Sequence, residues 1–397
     1  MGEHYADLGG LSDLIAPPYD VITDAERARL ARNPHNIVHL ILPLGNGDRY
    51  AAAARTLAGW RVDGTLIRDS EPAAFVLTQE FTTPDRRTHV RTGLLAGVSV
   101  ESYAAGRVRP HEKTHAGPKA DRLALMTATS TMFESLFFLA LDKGGGLSRA
   151  LAEATQREPW ARASRDGVQI RLWRVSGAGA ATLTRAAGET LYIADGHHRF
   201  ETAVAYRGTN PRADRTAGLI VPLVDPGLVV LATHRLIHGA TIPADRATAA
   251  LAGAFTVESI EAELDPLALL VDRRRAGTSC IVVLPGGPAL LATLKAGADV
   301  RAAGTGIAAG LDVARIDALA VRPLKDLAGT GATVGYSASA GDVLGEVGSG
   351  RAAAGVMLAP TRVEDVIAVA DAGEFMPQKS TYFVPKVPSG LVLLPVG

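Results

Sequence analysis

Leu191-Tyr-Ile-Ala-Asp-Gly-His-His-Arg-Phe-Glu-Thr-Ala203 carries the densest chemistry in this 397-residue chain. Leu191 to Ala194 is an apolar tetrad, which reads as the end of a buried strand. Phe200, Ala203, Val204 and Tyr206 recur near helical spacing, so a helix is expected from about His198. Asp195, Gly196, His197, His198 and Arg199 fill the turn between them. A strand-to-helix turn aims backbone N–H groups at one spot, and the helix dipole adds partial positive charge there. Gly196 lacks the Cβ that would block a ligand. Two imidazoles and a guanidinium add donors of fixed geometry. The pattern reads as an anion site, with phosphate as the anion. A simpler alternative has Asp195 capping the helix and the basic residues lying in solvent. That alternative leaves five polar or permissive residues directly after a buried strand without a use. The chain has no G-x-x-x-x-G-K-[ST] phosphate loop and places no G-x-G-x-x-G after a strand.

The length allows two or three domains with cores of their own. Lys plus Arg equals Asp plus Glu at 41 each, which argues against nucleic acid as a partner and against a polybasic membrane patch. Cys280 is the only cysteine, so disulfides within the chain and cysteine-cluster zinc sites are excluded; in its apolar run it reads as a buried strand residue. Glu3, His4 and Asp7 interrupt any leader-like apolar core, and no apolar run is long enough to span a bilayer. A cytoplasmic location is expected, and no oligomeric state is read from the sequence.

Outward from the motif, Ile15-Ala-Pro-Pro-Tyr-Asp-Val-Ile22 reads as an extended segment or edge strand. Thr23 with Glu26 forms a capping box for a helix through Leu30, and Ile37 to Leu42 reads as a strand. A helix is expected over about Tyr50–Val62, and strands over Phe75–Phe81 and Gly93–Val100. The pattern is helical from Leu123 to Thr131 and again from about Leu147 to Glu158. Leu136–Leu141 and Val168–Val175 read as strands, and Gly218–Val224 with Leu228–Thr233 as a strand pair ending at His234-Arg235. From about Thr241, Ala-rich helices alternate with short strands, including a hairpin of Ile281–Leu284 and Leu290–Leu294 across Gly286-Gly287.

Two further stretches concentrate polar side chains. Arg109-Pro-His-Glu-Lys-Thr-His115 precedes Gly117-Pro-Lys-Ala-Asp-Arg-Leu123. His111 and His115 stand i, i+4, but Pro110 and Gly117-Pro118 argue against a sustained helix, and no third zinc ligand follows at an obvious spacing. Near the end, Lys379, Ser380 and Thr381 form a triplet able to hold a phosphate or carboxylate, followed by an alternating strand. Solvated surface is the plain alternative for both.

With these residues in view, the chain resembles a widespread prokaryotic family of unknown function. The resemblance rests on Ala16-Pro-Pro-Tyr-Asp-Val-Ile22, Asn33-Pro34, Gln79-Glu80, Pro110-His-Glu112, Asp121-Arg122-Leu123, Asp195-Gly-His-His-Arg199, His234-Arg235 and Met376-Pro-Gln-Lys-Ser-Thr-Tyr-Phe383. That family opens with a longer apolar strand than Met1 to Gly10 supplies, which implies a start upstream. Pro-His-Glu followed by a strand and Asp-Gly-His-His-Arg is also distantly similar to the free-serine kinases of the ParB and sulfiredoxin superfamily.

This second resemblance implies a mixed α/β (α+β) fold, with a ParB/sulfiredoxin-like core, an insertion over roughly Leu123 to Arg185, and a C-terminal α/β domain. The expected division is 1–95 as an N-terminal α/β segment, 96–240 as the catalytic core and 241–397 as the C-terminal domain. Carried over by position, Glu112 would be the catalytic base, with His111 and His198 beside the chemistry. Gly196, His197, His198 and Arg199 would cradle the nucleotide phosphates. An aspartate beside a phosphate is the usual hard-cation arrangement, so Asp195 is expected to hold Mg²⁺ through water. Arg109, Lys113, Lys379, Ser380 and Thr381 are candidates for the amino-acid carboxylate or terminal phosphate. The implied reaction moves a phosphoryl group between ATP or ADP and free L-serine or O-phosphoserine, in either direction, and such transfer needs chiefly alignment and charge neutralisation. Two rivals are a ParB-like nucleotide switch and a phosphoserine phosphatase. No helix-turn-helix with clustered Lys and Arg favours the former. Sulfiredoxin-like repair would need a cysteine in the motif turn, and there is none.

Overall fold

A computed structural model describes residues 1–44, 48–260 and 265–396. They form a mixed α/β protein of two compact units. The first comprises Met1–Pro110, Thr114–Val229 and Pro385–Gly397; the second comprises His111–Lys113 and Val230–Val384.

The first unit is organised on one eight-stranded mixed sheet. Its strands run in the order Val108–Arg109, Leu191–Asp195, Leu136–Ala140, Arg215–Pro222, Thr88–Ser99, Ala73–Thr82, Val168–Ser176 and Ala161–Arg165. The sheet therefore takes strands from both sides of residue 95. Leu136-Phe-Phe-Leu-Ala140 is buried at every position, as a central strand covered on both faces must be. Phe138, Ile193, Phe200, Leu147 and Leu183 share its core, which joins the sheet to the helices Gly146–Ala154, Gly177–Ala186 and His197–Thr209. Burial of such side chains, about 1.5–3 kcal/mol each, holds the motif strand and motif helix in place.

The second unit carries a six-stranded antiparallel sheet in the order Phe255–Ile260, Ala289–Leu294, Ser279–Val283, Ala354–Leu358, His234–His238 and Thr333–Ser337. Cys280 and Val282 feed one core while Ile281 and Val283 feed another, the period-2 signature of a strand covered on both faces. Cys280 is buried and its strand pairs with Ala289–Leu294, as the hairpin reading expected.

Several local expectations are corrected. Ile37–Leu42 is not a strand: Val38–Ile41 is a helical turn. Asn36 decides this, because its Oδ1 accepts from the Val38 N–H at 2.9 Å while its Nδ2 donates to the Ile15 and Asp13 carbonyls. The helix expected from Leu123 begins at Ala116, with Pro118 in the first turn, where an absent N–H costs nothing. The helix expected to reach Glu158 stops at Ala154. Arg215–Pro222 does not pair with Leu228–Thr233; its neighbours are Leu136–Ala140 and Thr88–Ser99. The Thr23 cap holds, its side chain accepting from the Glu26 N–H at 3.2 Å. Among the described residues no helix is long and apolar enough to cross a membrane.

Candidate functional site

The motif strand ends in an irregularity. Ile193 stands opposite Phe138 and Asp195 opposite Phe137, so the register shifts at Ala194. A bulge of this kind re-aims the side chain that follows it. Gly196 then takes φ 98°, and a Cβ there would lie 3.1 Å from Arg199 Nη2 and 3.2 Å from Leu136 Cγ. Glycine alone meets both demands. The helix begins at His197, one residue earlier than expected, and no side chain caps it. The positive end of its dipole therefore faces the Gly196 turn.

Asp195 sits between two cations. Its Oδ2 accepts from Arg199 Nη2 at 2.8 Å and its Oδ1 from Lys386 Nζ at 2.5 Å. Burial alone would raise the carboxyl's pKa; Lys386, Arg199 and His197 outweigh burial and hold it well below the usual carboxylate range. Arg199 is buried and also donates from Nη1 to the Ser135 carbonyl at 3.0 Å. Burial opposes its charge, but Glu134, Asp195, Asp20 and Tyr19 more than compensate, so its pKa is raised. Lys386 is placed by its backbone. Arg91 Nη2 donates to the Pro385 carbonyl at 2.6 Å, and Gln79 Nε2 to the Lys386 carbonyl at 3.1 Å. Arg91 is fully buried, 4.4 Å from the centre of the Phe137 ring, and Gln79 Oε1 accepts from it at 2.5 Å.

Around this corner, Glu134 accepts from the Tyr19 N–H at 3.0 Å and from Ser389 Oγ at 3.2 Å. Arg122 lies 4.1 Å over the Tyr19 ring. His198, half-buried, accepts through Nε2 from the His115 N–H at 2.9 Å, a bond that requires the neutral ring. Burial and His115 lower its pKa, Lys119 adding to them, against the opposing pull of Glu201 and Asp20. Glu201 accepts from Thr114 Oγ1 at 2.6 Å and Lys119 Nζ at 2.7 Å. A cavity of about 440 Å³ beside the motif helix is lined by Tyr103, Lys119, Leu123, Glu201 and Ala205.

In the second unit, two stretches read separately in the sequence meet. Glu112 Oε1 accepts from the Lys379 N–H at 3.1 Å, and His111 Nε2 lies 3.3 Å from Thr381 Oγ1. Lys379 adopts φ 56°, uncommon for a residue with a side chain. Arg235 Nη1 donates to its carbonyl at 3.3 Å, so the strained residue is gripped from both sides. Arg235, fully buried, also forks onto Asp317 at 2.8 and 2.9 Å. Ser380 turns inward, its Oγ donating to the Pro377 carbonyl at 2.5 Å, and Lys113 Nζ lies 5.6 Å from the Phe375 ring centre.

Residues 2–314 match the family model described as a protein of unknown function, DUF1015. The chain belongs to that family. No curated protein matches the sequence. Among solved structures, a free serine kinase in complex with AMP is 12% identical with a TM-score of 0.41, over 76% of this chain and 91% of that one. A conserved hypothetical protein from Pyrococcus furiosus is 13% identical with a TM-score of 0.39, over 74% and 93%. SbnI from Staphylococcus aureus, with a C-terminal truncation, is 9% identical with a TM-score of 0.38, over 74% and 85%. These stand as likenesses, and the chemistry is read from this chain's own residues.

The site residues expected from the sequence of this DUF1015 protein fall into two groups. Arg109, Asp195, Gly196, His197, His198 and Arg199 belong to the first unit; His111, Glu112, Lys113, Lys379, Ser380 and Thr381 belong to the second. Arg109 donates from Nε to the Gly106 carbonyl at 3.3 Å and lies 5.8 Å from the Tyr192 ring centre. The Mg²⁺ expected at Asp195 does not fit its surroundings, because both carboxylate oxygens already face cations. Among the described residues no group of three or more His, Cys, Asp or Glu is arranged to hold a metal ion. Sequence reasoning missed Lys386, Arg91, Gln79 and Glu134. The one signal for Lys386 was a cation closing the alternating Tyr382–Lys386 run.

Proposed function

We propose that this DUF1015 protein is a nucleotide-dependent phosphotransferase acting on a small amino acid, with free L-serine or O-phosphoserine as substrate and ATP or ADP as phosphate donor or acceptor. The observation that carries the reading is the Gly196 turn: a φ of 98° opens a helix that no side chain caps, beside a carboxylate neutralised by Lys386 and Arg199. A phosphate arriving there meets a helix N-terminus and not a bare negative charge. Gly196, His197, His198 and Arg199 form its cradle, and preorganised donors of this kind stabilise charge that develops in transfer. Glu112 is proposed as the proton acceptor for the hydroxyl, on the Pro110-His-Glu pattern, with one oxygen engaged by the Lys379 N–H.

The test is an incubation of the purified protein with ATP or ADP and with serine or O-phosphoserine, products read by mass. Phosphoserine formed from ATP, or ATP formed from phosphoserine and ADP, supports the reading. Inorganic phosphate released from phosphoserine without nucleotide would make the protein a phosphatase. Nucleotide binding without turnover would make it a switch.

A further inference from the structure

We infer that Lys386 is the resident counter-ion of Asp195, and that the Gly196 corner binds phosphate groups without a divalent cation. The inference rests on the proposed phosphate site and names how that site is charged.

A divalent cation of the Mg²⁺ type demands near-octahedral oxygen ligation at short range and keeps several waters around it. Asp195 offers no free oxygen. Lys386 Nζ stands 2.5 Å from Oδ1, Arg199 Nη2 stands 2.8 Å from Oδ2, and an incoming dication would be repelled by both. The ammonium is no wandering surface group. Its side chain is only 20% exposed, and the carbonyls of Pro385 and Lys386 are held by Arg91 and Gln79. Arg91 is itself locked against Phe137 and Gln79. A chain of contacts thus runs from the sheet interior to the Lys386 stem, fixing one positive charge beside the turn. One thing a metal would supply at a carboxylate beside a phosphate is cancellation of the carboxylate's charge. Lys386 already does this.

The test uses ADP as probe, titrated calorimetrically in Mg²⁺ and in EDTA. Wild-type affinity is expected to agree between the two within about twofold. Lys386→Met should lose about tenfold or more in EDTA and regain much of it with Mg²⁺, while Lys386→Arg stays indifferent to the metal. A wild-type protein that loses about tenfold on chelation, or a Lys386→Met variant that matches the wild type in EDTA, overturns the inference. A second arm needs no nucleotide: Mn²⁺ added to wild type and to Asp195→Asn, read by its electron paramagnetic resonance. Equal free Mn²⁺ in both upholds the assignment; uptake by the wild type that Asp195→Asn lacks overturns it. Should ADP fail to bind while the Mn²⁺ arm comes out as expected, the phosphate-site reading falls and the counter-ion assignment stands.

Discussion

Lys386 Nζ lies 2.5 Å from Asp195 Oδ1 across 191 residues of sequence, tying the C-terminal segment of the first unit to the end of its motif strand. Both side chains are about one-fifth exposed, and Arg199 shares the carboxylate. Lys386→Met should therefore destabilise the protein by about 2 kcal/mol at neutral pH, between surface and buried pairs. The sign with pH follows from the depressed Asp195 pKa. Its contribution is complete above the ordinary carboxylate pKa and is lost as pH falls through the folded value. The gap between wild type and variant should narrow on acidification, as read from urea midpoints at successive pH values.

Gly196 holds a backbone conformation that alanine reaches only with strain, and the added Cβ would press on Arg199. Gly196→Ala is expected to cost about 2 kcal/mol in stability. Because the same atoms shape the proposed cradle, ADP affinity should fall by about tenfold or more in Gly196→Ala and in Arg199→Ala, some 1.4 kcal/mol. Calorimetric titration reads both; affinity equal to wild type in either variant would remove the corner from phosphate binding.

Glu112 accepts the Lys379 N–H while being proposed to accept a proton. Glutamine keeps an oxygen for the first task and gives up the second. Glu112→Gln should leave the melting temperature close to wild type and lower turnover by about 10²–10⁴-fold. Glu112→Ala should lose stability as well, since it releases the strained Lys379 turn. Unchanged turnover in Glu112→Gln would reject Glu112 as the base.

His234 is fully buried beside Arg235, its Nδ1 accepting from the Leu358 N–H at 3.2 Å. Burial, with Arg235, pushes its pKa down to about 4. From about pH 6.5 downward the unfolded chain takes up a proton that the folded one refuses, so stability falls by up to about 1.4 kcal/mol per pH unit until about pH 4. His234→Asn offers Oδ1 in place of Nδ1 and does not titrate there. Its denaturation midpoint should respond less to pH across that window than the wild type's does.

The strand–turn–helix at Leu191 to Ala203 was legible because its apolar tetrad and the spacing of Phe200, Ala203 and Tyr206 are both local signals. The same holds for the Thr23 cap and the strand around Cys280. Ile37 to Leu42 was not legible, since a six-residue apolar run suits strand and helix alike and the deciding amide belongs to Asn36. The corner around Asp195 was half legible. Its turn is written in five consecutive residues, but the partner that neutralises Asp195 arrives from the far end of the chain. No periodicity announces a contact of that kind, and it depends on Arg91 and Gln79 holding Pro385-Lys386 in place. Likewise His111–Lys113 and Lys379–Thr381 each looked reactive alone. They meet through the Glu112–Lys379 and His111–Thr381 contacts, with Arg235 holding the Lys379 carbonyl, and no spacing in the sequence announces contacts so far apart along the chain.

The central claim, that a nucleotide phosphate seats on the Gly196 turn, is tested most directly by following backbone amide resonances while ADP is added to the isotope-labelled protein. Saturable shifts largest at Gly196, His198 and Arg199 are the predicted result. Amides there that stay in place at saturating ADP, whether it binds elsewhere or not at all, would contradict it.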